Sequence, residues 1–250
     1  MIYLRFEIGG RKRYGILKGK TVYEITPGYF SEFQKTGRRF ALGGVKLLPP
    51  CRPSKIIALG LNYKSHAKEL TMTLPDVPLI FLKAPTAVIG PNEKIRYPEV
   101  SRKLDYEGEL AVVIKKQAKN ISPEKAKDYI LGYTCLNDVT ARDLQKVDGQ
   151  WTRAKSFDTF CPIGPWIADR IDPDNLRIET LVNSKTVQDS NTKNMIFSVK
   201  EIVSFVSEIM TLLPGDVIST GTPPGVGPMK RGDKVTVKIQ KIGELTNFVG

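Results

Sequence analysis

Short apolar runs of strand length, rather than helical periodicity, dominate this chain and restrict it most. Beyond residue 55 such runs lie at 56–59, 79–82, 108–114, 132–137, 166–168, 177–182, 216–219, 234–239 and 244–249. They are rich in β-branched residues and separated by Gly, Pro, Asn and Asp, the composition of strands and turns. Only 199–210 shows strong helical spacing, with Val199, Ile202, Val203, Val206, Ile209 and Met210 on one face. Ser198 and Glu201 form its capping-box signature. Ser122-Pro123-Glu124 predicts a second helix start. A doubly wound parallel sheet needs strands and helices in alternation, and that alternation is absent. The expectation is a mixed, β-rich α+β fold.

The N-terminus adds strands of its own. Ile2, Leu4, Phe6 and Ile8 alternate with polar residues, Gly9-Gly10 signals a turn, and Tyr14 to Leu17 starts a return strand. The basic cluster Arg11-Lys12-Arg13 falls where the hairpin turn is expected. The Pro- and Gly-rich stretch 43–53 is the best linker candidate. The division expected is a small N-terminal domain over residues 1–50 and a catalytic domain over 51–250.

Of 250 residues, 41% are hydrophobic, enough for a sizeable core, and 38 Lys and Arg outnumber 26 Asp and Glu for a net charge of +12. The basic residues are dispersed among acids, and no zinc-finger spacing, RNP-type aromatic motif or heptad repeat accompanies them, so no nucleic-acid partner is expected. No apolar stretch is long enough to span a membrane, and the first residues run into charge without a signal-peptide core. Cys51, Cys135 and Cys161 are widely spaced and odd in number, which fits a reducing cytoplasm.

Several groups of residues could carry chemistry. In Asp105-Tyr106-Glu107-Gly108-Glu109-Leu110, a strand would project Glu107 and Glu109 side by side. Adjacent carboxylates repel unless a cation separates them. A divalent metal with oxygen ligands (Mg²⁺, Mn²⁺ or Ca²⁺) does so, and a solvent-facing strand pair is the alternative. Asp138 is either a third ligand or a turn residue. His66 and Glu69, the single histidine and an acid three residues on, are either an oriented general base or a surface ion pair. Lys155 lies between a tryptophan-containing loop and a Cys-Pro-Ile-Gly-Pro segment and could be partly buried. The sequence 15–21 ends like a P-loop, but its glycines are one residue too close and it sits in a strand hairpin. The rigid loop Gly221-Thr222-Pro223-Pro224-Gly225-Val226-Gly227 exposes backbone N–H groups that could hold a small anion.

Taken together, Gly60-Leu61-Asn62-Tyr63 with His66 and Glu69, Phe81-Leu82-Lys83-Ala84-Pro85 with Gly90-Pro91, Asp105 to Leu110, Leu136 to Asp143, Ala154 to Pro165, and Leu213 to Gly227 resemble the motif series of the fumarylacetoacetate hydrolase family in order and spacing. The resemblance covers roughly residues 55 to 249. It implies that family's mixed β-roll with a small N-terminal domain, a Mg²⁺ or Mn²⁺ site and a homodimer. It places the metal ligands at Glu107, Glu109 and Asp138, the acid/base pair at His66 and Glu69, and an active-site lysine at Lys155. Arg142 and Thr222 match positions that help hold the substrate's carboxylate or oxo groups, together with Lys155. The implied activity is metal-dependent hydrolysis of a C–C bond in acylpyruvate-type 2,4-dioxo acids through a metal-stabilised pyruvate enolate. The alternative is isomerisation or decarboxylation of 2-hydroxy-dienedioates, or decarboxylation or tautomerisation of oxaloacetate, in aromatic catabolism or central metabolism. The first 50 residues resemble the short N-terminal piece of small family members, not the larger domain of fumarylacetoacetase. Residues 70–78, turn-rich and next to His66, are expected to form a lid that closes on substrate.

Overall fold

The structure, a computed structural model, describes residues 1–65 and 73–250. His66, Glu69 and the first part of the expected lid, residues 70–72, lie outside the described residues. Residues 73–79 form neither helix nor strand.

Three sheets make up the protein. The longest path through the large sheet runs Gln34–Ala41, Thr21–Thr26, Arg11–Lys18, Ile2–Ile8, Cys161–Ala168, Ile130–Asn137, Gly108–Ile114, Val217–Ser219, Ile56–Leu59 and Ile80–Lys83. Neighbours on this path are antiparallel except Val217–Ser219 and Ile56–Leu59, which run parallel. Lys46–Leu48 and Val88–Ile89 pair off the path. A three-stranded sheet joins Thr140–Ala141, Leu104–Tyr106 and Gly227–Met229. A five-stranded sheet joins Lys185–Asn191, Arg177–Val182, Lys234–Ile239, Gly243–Val249 and Lys94–Ile95. The fold is mostly β with few helices, as the sequence predicts.

The strand Gly108–Ile114 shows why its apolar run is unbroken. Ala111 and Val113 enter one hydrophobic cluster, while Leu110, Val112 and Ile114 enter another on the opposite face. A strand buried on both faces loses the polar alternation of a half-exposed one. The helix Val199–Ile209 covers the second cluster with Val199, Ile202, Val203 and Val206, all buried. Each contributes about 1.5–3 kcal/mol of apolar burial. Glu201 reaches back to accept from the Ser198 N–H at 2.7 Å, which satisfies a donor at the helix start.

Local expectations need four corrections. Residues 43–53 are not a free linker. Lys46–Leu48 pairs with Ile2–Ile8, and Cys51 and Pro53 are buried. Gly9-Gly10 makes the first turn, and Arg11-Lys12-Arg13 opens the return strand rather than capping the hairpin. Pro123–Tyr129 is 3₁₀ rather than α-helical. The sequence reading also passes over the strands Gln34–Ala41 and Lys185–Asn191 and the helices Arg142–Asp148 and Thr152–Lys155. The two strands are largely polar edge strands, and both helices are too short for periodicity to register.

Candidate metal centre

Glu107 does not lie within the strand Gly108–Ile114. It occupies the break where the chain leaves the three-stranded sheet at Tyr106 and enters the large sheet at Gly108. The expected i, i+2 strand pair is thus replaced by a crossing between sheets, and the carboxylates still converge. Gly108 makes the crossing possible, because a Cβ there would stand 2.0 Å from Thr180 Oγ1. Asn137, opposite Gly108 in the register, accepts the Glu107 N–H on its side-chain oxygen at 2.9 Å. The Asp138 N–H in turn donates to the Glu107 carbonyl at 2.8 Å.

These bonds bring Glu107, Glu109 and Asp138 together, with one carboxylate oxygen from each within 4.8 Å of the others. All three are buried. The solvent-facing alternative is therefore excluded.

Buried carboxylates need compensation. Lys155 Nζ donates to Glu107 Oε2 at 2.9 Å and to Asp138 Oδ2 at 2.6 Å. Lys83 Nζ pairs with Asp138 Oδ1, and Arg142 Nη2 pairs with Glu107 Oε1. Arg142 Nε also donates to Asp105 Oδ2 at 2.9 Å. Thr140 Oγ1 lies 3.0 Å from Glu107 Oε1. Glu109 accepts on Oε2 from Ser219 Oγ at 2.5 Å and from the Gly221 N–H at 2.8 Å. Its Oε1 is buried and has no hydrogen-bond partner among the described residues.

The electrostatics divide the two glutamates. Burial pushes Glu107 up, but the adjacent Lys155 and Arg142 charges outweigh it and hold its carboxyl at about 2. Among the described residues no cation forms an ion pair with Glu109. Burial, then the Asp138 and Glu107 charges, raise it well above the usual carboxylate range, and Lys155 lowers it only as a lesser influence. Burial opposes the charge on Lys155, but Asp138 and Glu107 override it and keep the ammonium protonated.

An oxygen-only donor set of three carboxylates suits a hard divalent cation. The Glu109 oxygen that lacks a hydrogen-bond partner among the described residues is one such a cation would satisfy. The residues present therefore fit Mg²⁺ or Mn²⁺.

Other expected site residues fall around this centre. Arg142 opens the helix Arg142–Asp148, and Lys155 ends the short helix Thr152–Lys155. Lys155 is almost wholly buried, more so than its sequence context suggests. Its Nζ also sits 5.1 Å from the centroid of the Phe81 ring. The Thr222 hydroxyl donates to the Gly108 carbonyl at 3.0 Å and accepts from Gln188 Nε2 at 2.9 Å, so it braces the metal strand. In the 221–227 loop the Gly221 N–H is taken by Glu109 Oε2 at 2.8 Å rather than left open to a ligand. Asn62, just ahead of His66 and Glu69, is tied to this loop by Nδ2 donating to the Thr220 carbonyl at 2.8 Å.

Lys83, Thr140, Gln188 and Ser219 were not singled out by sequence reasoning. Lys83, Thr140 and Ser219 lie inside the motifs Phe81 to Pro85, Leu136 to Asp143 and Leu213 to Gly227, while Gln188 left no signal. Thr140, Gln188 and Ser219 are common polar residues whose roles depend on partners more than 30 residues away.

Residues 55–250 match the family model described as fumarylacetoacetate (FAA) hydrolase C-terminal, and residues 1–50 match that described as Rv2993c-like, N-terminal. The crystal structure of 5-carboxymethyl-2-hydroxymuconate delta-isomerase from Mycobacterium smegmatis is similar with a TM-score of 0.95 at 43% identity, covering 100% of this chain and 99% of that one. Maleylpyruvate hydrolase from Sphingobium sp. SYK-6, solved with manganese(II) and pyruvate, is similar with a TM-score of 0.83 at 30% identity, covering 100% of this chain and 98% of that one. A mitochondrial oxaloacetate tautomerase of Xenopus laevis is 45% identical over 81% of this chain and 67% of its own length.

Proposed function

The chain belongs to the fumarylacetoacetate hydrolase family, and on that premise we propose a divalent-metal enzyme that cleaves the C–C bond of an acylpyruvate-type 2,4-dioxo acid. One observation carries the metal dependence: the buried Glu107, Glu109 and Asp138 carboxylates converge, and Glu109 Oε1 has no hydrogen-bond partner among the described residues. Mg²⁺ or Mn²⁺ held by these three residues would supply Lewis acidity at the substrate's 2-oxo oxygen.

The chain's own residues supply the rest. Lys155 presents a fixed positive charge beside the carboxylates, where negative charge develops on the substrate. Arg142 bridges Asp105 and Glu107 and so orients a ligand carboxylate; in this reading it also meets the substrate's oxyanion at the rim. Thr222, through Gly108, steadies the strand that carries Glu109. His66, oriented by Glu69, activates the water that attacks the distal carbonyl. Asn62 anchors the start of that segment against the Thr220 carbonyl. Residues 70–78 close over the substrate as a lid.

A second reading shares the same centre. Without attack by water, proton transfer at the carbon next to the 2-oxo group yields keto–enol tautomerisation or isomerisation, and loss of a carboxylate yields decarboxylation. The likeness to an isomerase and to an oxaloacetate tautomerase supports this reading as well as the likeness to maleylpyruvate hydrolase supports the first.

No helix among the described residues is long and apolar enough to cross a membrane. A cytoplasmic homodimer acting on a small 2-oxo acid, without a nucleic-acid partner, completes the proposal.

An ultraviolet assay with acetylpyruvate, fumarylpyruvate, oxaloacetate and a 2-hydroxy-dienedioate, with and without Mg²⁺ or Mn²⁺, tests the two readings. Metal-dependent acylpyruvate cleavage that is lost in Glu107→Ala supports hydrolysis. Turnover confined to oxaloacetate or the dienedioate replaces it with the second reading. Absence of metal binding would overturn both.

A further inference from the structure

Arg5 is a buried cation without a counter-ion among the described residues. It lies on the strand Ile2–Ile8, is 8% exposed, and donates from Nη1 to the Pro49 carbonyl at 2.8 Å. Among the described residues, no carboxylate forms an ion pair with it. Its guanidinium carbon is 5.8 Å from the Tyr14 ring centroid, so an aromatic face covers one side. A buried charge matched only by a carbonyl and a ring is costly, and proteins normally pair such a group.

Arg5 opens onto a cavity of about 420 Å³ at the seam where the N-terminal strands meet the rest of the protein. Lys12 and Arg52 line the same cavity, and neither has an ion-pair partner among the described residues. Glu93 is the acidic residue in the lining, and its Oε2 already accepts the Gly90 N–H at 2.8 Å. Thr86 adds a hydroxyl, and three prolines stiffen the walls. Three cations therefore face one committed carboxylate across a rigid, half-enclosed space. The Glu107–Glu109–Asp138 centre contributes no residue to it.

We propose that this seam binds a small oxyanion, through a carboxylate or phosphoryl group seated between Arg5, Lys12 and Arg52. The planar guanidinium groups match the paired oxygens of either group, and Lys12 adds a point charge at the mouth. The net excess of positive charge selects a dianion over a monoanion. The site does not depend on which reaction the metal centre performs.

Isothermal titration calorimetry of the purified full chain with inorganic phosphate, and separately with succinate, tests the proposal. The expected result is saturable binding of at least one probe. Binding should weaken roughly tenfold or more in the double variant Lys12→Gln/Arg52→Gln, because two charge-assisted contacts are lost. Both positions are exposed, so this variant keeps the fold. Arg5→Gln, with its fold checked by circular dichroism, should abolish binding. Preference for phosphate identifies a phosphoryl ligand, preference for succinate a carboxylate, and equal binding their shared oxyanion chemistry. No saturable binding of either probe overturns the proposal. Binding that persists unchanged in the double variant does too, because the anion then sits elsewhere.

Discussion

Lys83 and Asp138, 55 residues apart in the chain, form an ion pair in which both side chains are fully buried. Asp138 also accepts from Lys155, so two ammonium groups hold one carboxylate in place before any metal arrives. Removing one partner of such a pair leaves a buried charge poorly matched. Lys83→Met should therefore lower stability by about 3 kcal/mol in urea denaturation. Saturating Mn²⁺ should recover part of that loss by restoring positive charge beside Asp138. An unchanged midpoint would show that Lys155 alone suffices.

Gly108 is required by a close approach. A Cβ there would meet Thr180 Oγ1 at 2.0 Å, while the Gly108 N–H donates to Gln188 Oε1 at 3.0 Å. Gly108→Ala should destabilise the protein by about 1–3 kcal/mol or more and displace Glu107 and Glu109. Adding Thr180→Ala removes the clashing oxygen and should return much of the stability. A double-mutant cycle measures the coupling, and additive effects would place the cause elsewhere.

Divalent metal should stabilise the folded chain by mass action. At a hundredfold excess over Kd the gain is about 2.7 kcal/mol, a rise of roughly 5–10 °C in Tm for a chain of this size. Glu109→Ala should abolish the rise, since it removes the oxygen that lacks a partner among the described residues. Its metal-free Tm should hold or increase, because the variant also removes a carboxylate crowded by Asp138 and Glu107. Chelation should return the wild type to the lower Tm.

The buried thiols make alkaline stability a readout of the core. Burial pushes Cys51 and Cys161 up to about 12, with Cys161 adding to the rise at Cys51, and Asp138 and Glu109 opposing Lys83 at Cys161. The unfolded chain loses these protons at about pH 8.5. Their contribution is complete below that pH and is lost progressively as pH rises towards 12. Thermal unfolding should show falling Tm across this window, and Cys51→Ala/Cys161→Ala should flatten the fall. At neutral pH a thiol reagent should react with the native chain only after denaturant is added, because all three cysteines are buried.

Part of the candidate site was legible in the sequence, because the two glutamates are locally encoded and Asp138 lies in a motif that resembles the family's. Glu107 and Glu109 flank a glycine at the entrance of an apolar run, and Asp138 follows the strand that pairs with it. Strand positions were equally readable, since β-branched runs between turn residues report burial on a sheet. Elements failed where that link breaks. Edge strands such as Gln34–Ala41 are exposed and polar, and Thr152–Lys155 is a single turn.

The amino-acid sequence by itself determined the β-rich fold and the helix Val199–Ile209, for which short-range periodicity suffices, while the set Glu107, Glu109 and Asp138 was implied by the family resemblance of its motifs. Only the tertiary structure decided that Glu107 sits at a crossing between sheets, that Lys83 and Lys155 share Asp138, and that Arg5 is buried without a counter-ion among the described residues. Compensation of buried charge is a through-space balance between groups distant in the chain, and local sequence carries no record of which cation will meet which carboxylate.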